Sequence, residues 1–288
     1  MPSLKEVKTR IASVNSTRKI TSAMKMVASS KLHRAQQNIE NMHPYESRLD
    51  EMTKSFVSAL DGGVSSPYAV QREVKNVAIL VFTSNSSLCG GFNSNVIKAM
   101  RQQVKAYKDQ GIQVKYIIPV GKKGWDAAKK LGFTDSPAFH TLCEHPSYSG
   151  SLDISHKLMD DFLKGEIDKV DIIYHHFKSS ASQVLTQETF LPIEIKPANS
   201  RSAKIPNYII EPSIEAVLEK LIPKTLCLKV YTSLLDSIAS EHAARVIAMQ
   251  IATDNADELL QELTLTYNKT RQQAITTELL DIVGGSMQ

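Results

Sequence analysis

Apolar and small residues recur every three or four positions through the last quarter of the chain. They run through Leu228, Tyr231, Leu235 and Ile238, then past His242 through Val246, Met249, Thr253, Ala256, Leu260, Leu263, Tyr267, Thr270 and Ala274. Between Ser213 and Val283 there is no glycine and one internal proline, Pro223. The pattern predicts a long helix with a coiled-coil period. From Lys224 to Val283 such a helix would be roughly 90 Å long at 1.5 Å per residue, so its apolar seam requires a partner. Proline in a helix interior loses a hydrogen bond and costs on the order of 3 kcal/mol, which predicts a break or kink at Leu221 or Ile222. The rod then begins afresh at Pro223, since proline is tolerated in a first turn.

The N-terminal region has the same character. Ser3 with Glu6 forms a capping box, and Leu4, Val7, Ile11 and Val14 start a three-four stripe that continues through Ile20, Met24, Val27, Leu32 and Ala35. Pro44 predicts a bend or break at Met42 or His43. The stripe resumes through Leu49, Met52, Phe56, Val57 and Leu60, and Asp61-Gly62-Gly63 ends it. Two long helices at opposite ends of one chain, each with an open seam, most economically cover each other.

The middle alternates short apolar β-branched runs with amphipathic segments. Strands are expected at 75–82, 114–120, 170–177 and 184–195, and helices at 93–109, 122–131 and 152–163. This order argues for a Rossmann-like α/β domain with a largely parallel sheet whose last two strands form a hairpin at one edge. Pro197, Pro206 and Pro212 mark an exposed connector with a short extended piece at 208–210. The expected organisation is an N-terminal coiled-coil helix (1–61), an α/β domain (75–196), a connector (197–212) and a C-terminal coiled-coil helix (213–288). The fold class is therefore α/β, a long antiparallel coiled coil of terminal helices with an inserted α/β domain.

Charge supports that pairing. Residues 1–35 carry Lys5, Lys8, Arg10, Arg18, Lys19, Lys25, Lys31 and Arg34 against Glu6 alone, while residues 254–288 carry six acids against Lys269 and Arg271. Opposite charge at the two ends favours antiparallel alignment, although each exposed pair contributes only a few tenths of a kcal/mol. Composition is ordinary for a globular chain of 288 residues, with 42% hydrophobic and 22% charged residues. No apolar run approaches the roughly 20 residues of a membrane span. Three scattered cysteines, Cys89, Cys143 and Cys227, fit packing in a reducing compartment better than a disulfide framework.

Candidate chemistry is sparse. The turn Leu88-Cys89-Gly90-Gly91-Phe92-Asn93 precedes a helix, but it lacks the lysine and hydroxyl of a phosphate-binding P-loop and reads as a tight strand-to-helix turn. His140, Cys143 and His145 lack a fourth metal ligand at suitable spacing. His175 and His176 are consecutive in a strand and point to opposite faces. The basic first helix has no Phe or Tyr before Tyr45, hence no stacking platform for nucleic acid. No catalytic residue, cofactor site or metal site is assigned.

Four stretches together carry a family resemblance: residues 20–32 (ITSAMKMVASSKL), 88–93 (LCGGFN), 240–256 with Ser240-Glu241-His242-Ala243-Ala244-Arg245, and 263–286 (LTLTYNKTRQQAITTELLDIVGGS). In this order they resemble the gamma subunit of an F-type ATP synthase. Asn85-Ser86 stands where that family usually has an acid-arginine pair, Gly285 where it commonly has alanine, and Gln250 where the residue is often charged.

The resemblance implies a non-catalytic rotor shaft. Its terminal helices would form a left-handed antiparallel coiled coil inside a hexamer of alpha and beta subunits, with the α/β domain below, beside epsilon and the membrane ring of c subunits. Membrane contact would come only through the complex, and no nucleic acid is expected. By resemblance, Met24 and Lys25, beside Arg18, Lys19 and Lys31, face an acidic loop of a catalytic subunit. Glu241 and Arg245, with Arg271, Gln272, Thr276 and Glu278 near the tip, engage catalytic-subunit loops and carry torque. Met1 lies directly before the first helix, which leaves no room for a transit peptide and points to the cytoplasmic face of a bacterial membrane. The competing expectations are a free-standing coiled-coil adaptor and a nucleotide-binding α/β enzyme.

Overall fold

A computed structural model describes residues 3–58, 66–134, 137, 139–193, 208 and 210–285. In chain order the elements are α1 (Leu4–Ser58), β1 (Asn76–Phe82), α2 (Phe92–Asp109), β2 (Gln113–Val120), α3 (Lys122–Lys130), a short 3-10 turn (Thr141–Cys143), α4 (Tyr148–Leu163), β3 (Lys169–Ser179), β4 (Ser182–Leu191) and α5 (Ile214–Gly285). The chain divides into two compact units, one of residues 1–30 with 245–288 and one of residues 31–244, so α1 and α5 each contribute to both. The first unit is a pair of helices alone. Of the expected connector, residues 197–207 and 209 lie outside the described residues.

In the second unit the four strands form one sheet in the order β2-β1-β3-β4. β1 pairs in parallel with β2 and β3, and β4 returns antiparallel along β3. The apolar runs are explained by position: every residue of β1 after Asn76 is buried, as expected for a central parallel strand covered on both faces. Val77, Ile79, Val81, Ile117 and Ile173 of the sheet pack with Val96, Ala99, Met100 and Tyr107 of α2 and with Ala127 and Ala128 of α3.

One polar group enters that core. Asp171 of β3 accepts hydrogen bonds from Tyr107 Oη, from Gln103 Nε2 at 3.0 Å and from Thr189 Oγ1 at 3.3 Å, with Lys169 Nζ 3.2 Å from its second oxygen. A buried carboxylate persists only with such partners, and here they tie α2 to both hairpin strands.

Neither proline breaks its helix. α1 continues as helix through Pro44 and α5 through Pro223, so of the expected bend or break at Met42 or His43, and the break or kink at Leu221 or Ile222, the break does not occur. Each proline removes the hydrogen bond to the carbonyl four residues earlier, Glu40 or Glu219, and both of those residues are exposed, so water can satisfy the freed oxygen. Around Pro223, Leu221, Ile222, Leu226 and Cys227 are all buried. At about 1.5–3 kcal/mol for each fully buried apolar side chain, that packing outweighs the local penalty. The shaft segment therefore does not start at Pro223.

His175 is the buried base of the second unit, at 3% exposure, stacked on Phe92 with ring centroids 4.6 Å apart. Its backbone carbonyl accepts from Ser240 Oγ of α5 at 3.2 Å. Burial holds its pKa down at about 4, against 6.5 for a free histidine. The unfolded chain therefore takes up this proton more readily than the native one. The stabilisation is whole above about pH 6.5 and is lost as pH falls toward 4, on the order of 3 kcal/mol in all. We expect His175→Phe, which keeps the aromatic stack, to flatten the fall in denaturation midpoint between pH 6.5 and 4. An unchanged pH profile in urea melts would refute this.

Candidate functional site

Within the first unit three side-chain contacts set the pairing of α1 with α5. Arg18 Nη1 donates to Asp257 Oδ1 at 2.9 Å, the Thr21 and Thr253 hydroxyls lie 2.8 Å apart, and Lys25 Nζ donates to Gln250 Oε1 at 2.8 Å. As α1 advances from Arg18 to Lys25, α5 runs back by the same seven residues from Asp257 to Gln250, so the helices are antiparallel and advance one heptad for one heptad. Val7, Ala28, Met249, Ala256 and Leu263 are the buried apolar residues of this unit among those described. Two of the five are alanines.

That register has an end. Fourteen residues before Arg18 is Leu4, where α1 begins, and fourteen after Asp257 is Arg271. Past Arg271 the last part of α5 has no α1 residue beside it, and every described side chain from Arg271 to Val283 is exposed. Arg271, Gln272, Thr276 and Glu278 lie in this segment. So do Ile275, Leu279, Leu280, Ile282 and Val283, with exposures from 48% to 68%. These apolar residues were not singled out from the sequence, because periodicity alone does not distinguish a covered stripe from an uncovered one. The missing signal was the register against the start of α1.

The other expected contact residues separate into two groups. Met24 and Lys25 are half-buried, and Lys25 is tied to Gln250, which itself donates to Asp254 Oδ1 at 2.7 Å. Gln250, a departure from the usual charged residue, thus bridges a cation and an acid. Glu241 and Arg245 are buried, at 7% and 8% exposure. Polar side chains at that depth are held by their own chain's packing, which the sequence reading did not foresee for α5.

In the second unit the LCGGFN turn is self-contained. Asn93 Oδ1 accepts from the Ser84 backbone N–H at 3.0 Å, and its Nδ2 donates to Ser84 Oγ at 2.7 Å and to the Ser86 carbonyl at 3.3 Å. Gly90 and Leu88 both take positive φ, 57° and 67°, and Leu88 is 60% exposed. Asn85 secures the next loop: its Nδ2 donates to the His140 carbonyl and Glu144 Oε1, while its Oδ1 accepts from the Lys122 N–H. The Cys143 thiol donates to the Thr83 carbonyl at 3.3 Å, and burial pushes its pKa up to about 12, far from a nucleophile's range. Among the described residues no group of three or more His, Cys, Asp or Glu is placed to hold a metal ion, and no helix is long and apolar enough to cross a membrane.

The family model described as ATP synthase matches residues 3–287. The ATP synthase gamma chain of Phocaeicola vulgatus is 57% identical over the whole of both chains, that of Bacteroides thetaiotaomicron 56% over the whole of both, and that of Flavobacterium johnsoniae 45% over 99% of this chain and 98% of its own. Among solved structures, a chain of the Euglena gracilis mitochondrial ATP synthase covers 99% of this chain at TM-score 0.66 and 22% identity, with 93% of its own length matched. A chain from the central stalk and c-ring of the Tetrahymena thermophila mitochondrial enzyme covers 81% at TM-score 0.58 and 24% identity, with 99% of its own length matched. The terminal helices around a mixed four-stranded sheet are therefore a shared fold, and with relatives above half identity over its full length this chain belongs to the ATP synthase gamma-chain family.

Proposed function

We propose that the chain is the central rotor shaft of an F-type ATP synthase and performs no bond chemistry itself. Its partners are the alpha and beta subunits of the catalytic hexamer, the epsilon subunit and the ring of c subunits, and it sits at the cytoplasmic face of a bacterial membrane through that complex. The observation that carries this reading is the end of α5, a lone helix exposed on all sides beyond the antiparallel pair. An amphipathic helix that exposes Ile275, Leu279, Leu280 and Ile282 requires an enclosing surface in its working state. A sleeve of catalytic subunits supplies one.

An asymmetric shaft presents a different side to each of three catalytic subunits, so their affinities for nucleotide differ at any instant. Turning moves those differences around the ring, since a conformational bias follows only from differential contacts. In this reading Arg271, Gln272, Thr276 and Glu278 at the tip, with Met24 and Lys25 on α1, are the contacts that carry torque, while Glu241 and Arg245 keep α5 in place from inside. The segments 1–61 and 213–288 act as the shaft, and 75–196 as the foot joined by 197–212.

Arg271→Ala combined with Gln272→Ala is expected to lower ATP synthesis in the reconstituted complex by about fivefold, the low end of ordinary coupling energies, with helix content unchanged. Both side chains are exposed, so the fold does not depend on them. Unchanged synthesis rates would sink the contact assignment.

A further inference from the structure

His175 and His176 point to opposite faces of β3, and each meets a different element. His175 stacks on Phe92, while His176 Nδ1 stands 2.5 Å from Asp236 Oδ2 of α5. This ion pair belongs to a row of polar contacts between one face of α5 and the hairpin of β3 and β4. Lys229 Nζ lies 2.9 Å from Glu188 Oε1 of β4, and Ser240 Oγ donates to the His175 carbonyl of β3 at 3.2 Å. At 3.6 residues per turn, Lys229, Asp236 and Ser240 fall within an arc of about 40° and span roughly 16 Å of helix. The face that α5 turns to the hairpin is therefore bonded as well as packed.

Two features single out the pair of His176 and Asp236 within that row. It holds the deepest charge, since the Asp236 side chain is 15% exposed against 33% for Glu188 and 35% for Lys229. Burial raises the Asp236 pKa and Glu46 of α1 adds to the rise, while the hydrogen bond and charge of His176, and the charge of Lys229, oppose it. The carboxylate thus depends on the imidazole to stay ionised at that depth. Packing is also thin beside the pair. A cavity of about 330 Å³ opens there, lined by Met42, His43 and Glu46 of α1, Tyr174 and Phe177 of β3 and Leu235 of α5. Side chains that face a void forfeit their dispersion contacts on that side, so the ion pair does more than packing to set where this end of the hairpin rests.

We infer that His176 and Asp236 are positioning residues for rotation: their pair fixes the hairpin of β3 and β4 on α5, so that sheet and helix turn as one piece. Apolar contact is non-directional and lets surfaces slide past each other. A hydrogen-bonded ion pair is satisfied at one register only. Torque that enters through the sheet reaches this segment of α5 sideways, across the row, and slippage there would never arrive at the catalytic subunits. The inference rests on the shaft reading, because a contact between foot and shaft affects coupling only if both turn.

The test uses the whole complex reconstituted in vesicles, with ATP synthesis driven by an imposed ion gradient measured against ATP hydrolysis in the same preparation. His176→Ala and Asp236→Ala are each expected to lower the ratio of synthesis to hydrolysis about fivefold, the low end of ordinary coupling energies, with hydrolysis retained. Because each residue acts through the other, His176→Ala/Asp236→Ala is expected to fall no further than either single variant. His176→Asn keeps an N–H donor close to the place of Nδ1 and is expected to restore most of the ratio, which a general loss of packing would not allow. A parental ratio in both single variants would overturn the inference. So would additive losses in the double variant, a His176→Asn chain as defective as His176→Ala, or loss of hydrolysis together with synthesis, which would trace the defect to folding or assembly. Full coupling in a complex that lacks this chain would instead remove the shaft reading, and this inference with it.

Discussion

Gly121→Val is expected to unfold the α/β unit at markedly lower denaturant than the parent chain. Gly121 lies between β2 and α3 at φ 104° and ψ 145°, a region essentially closed to residues with a side chain. Thr83, which follows β1 on the neighbouring strand, presses against it. A Cβ at Gly121 would sit 2.7 Å from the Thr83 carbonyl carbon and 2.7 Å from Thr83 Oγ1. Thr83 cannot retreat, because its N–H donates to the Val120 carbonyl at 2.8 Å and its hydroxyl accepts from the Gly124 N–H at 2.8 Å. Backbone strain and overpacking, each on the order of 1–3 kcal/mol, together remove about 4 kcal/mol. Domains are stable by only about 5–15 kcal/mol, so a loss of this size removes a large share of the total and moves the midpoint far down. Gly132→Ala is the matched control, with φ at 96° and nothing within 4 Å of the added carbon. Equal midpoints for Gly121→Val and Gly132→Ala in urea would show that the Thr83 contact is not decisive.

Ala256→Pro is the second large effect, and its readout is coupling. Ala256 is 7% exposed in the seam between α5 and α1, in the unit built from two helices alone. The substitution removes the hydrogen bond to the Ala252 carbonyl and drives the ring against it, at a cost of about 3 kcal/mol. Pro223 is accommodated where Leu221, Ile222, Leu226 and Cys227 are buried beside it, whereas Ala256 has only the thin seam to restrain it. In the reconstituted complex, ATP synthesis is expected to fall by tenfold or about that much, while the α/β unit melts as in the parent. Synthesis at the parental rate would show that an unbroken α5 is not required.

Much of this architecture was legible from residue spacing. The four strands and three helices of the α/β unit fall within a few residues of their expected bounds, because β-branched runs between Gly-containing turns have few alternatives. What misled was local penalty weighed without tertiary context. Pro44 and Pro223 read as breaks, since their disruption is visible in sequence and the burial of Leu221, Ile222 and Leu226 that overrides it is not. The burial of Glu241 and Arg245 was likewise invisible in the motif that singles them out. A motif match identifies which residues matter in a family but does not say whether they act from the surface or the interior. The polar row of α5 was equally hidden, because Lys229, Asp236 and Ser240 carry no signal until β3 and β4 bring Glu188, His176 and the His175 carbonyl beside them.

The helix pair of the first unit is held by five buried apolar residues and three polar contacts, one of them a half-exposed ion pair of about 0–1 kcal/mol. Two helices sealed so lightly resist compression along their axes far better than they resist being wound about each other. Under torque such a pair is expected to wind before it shortens, because only that thin seam opposes the winding. Leu in place of Ala28 or Ala256 would repack that seam and so change how readily the two helices wind.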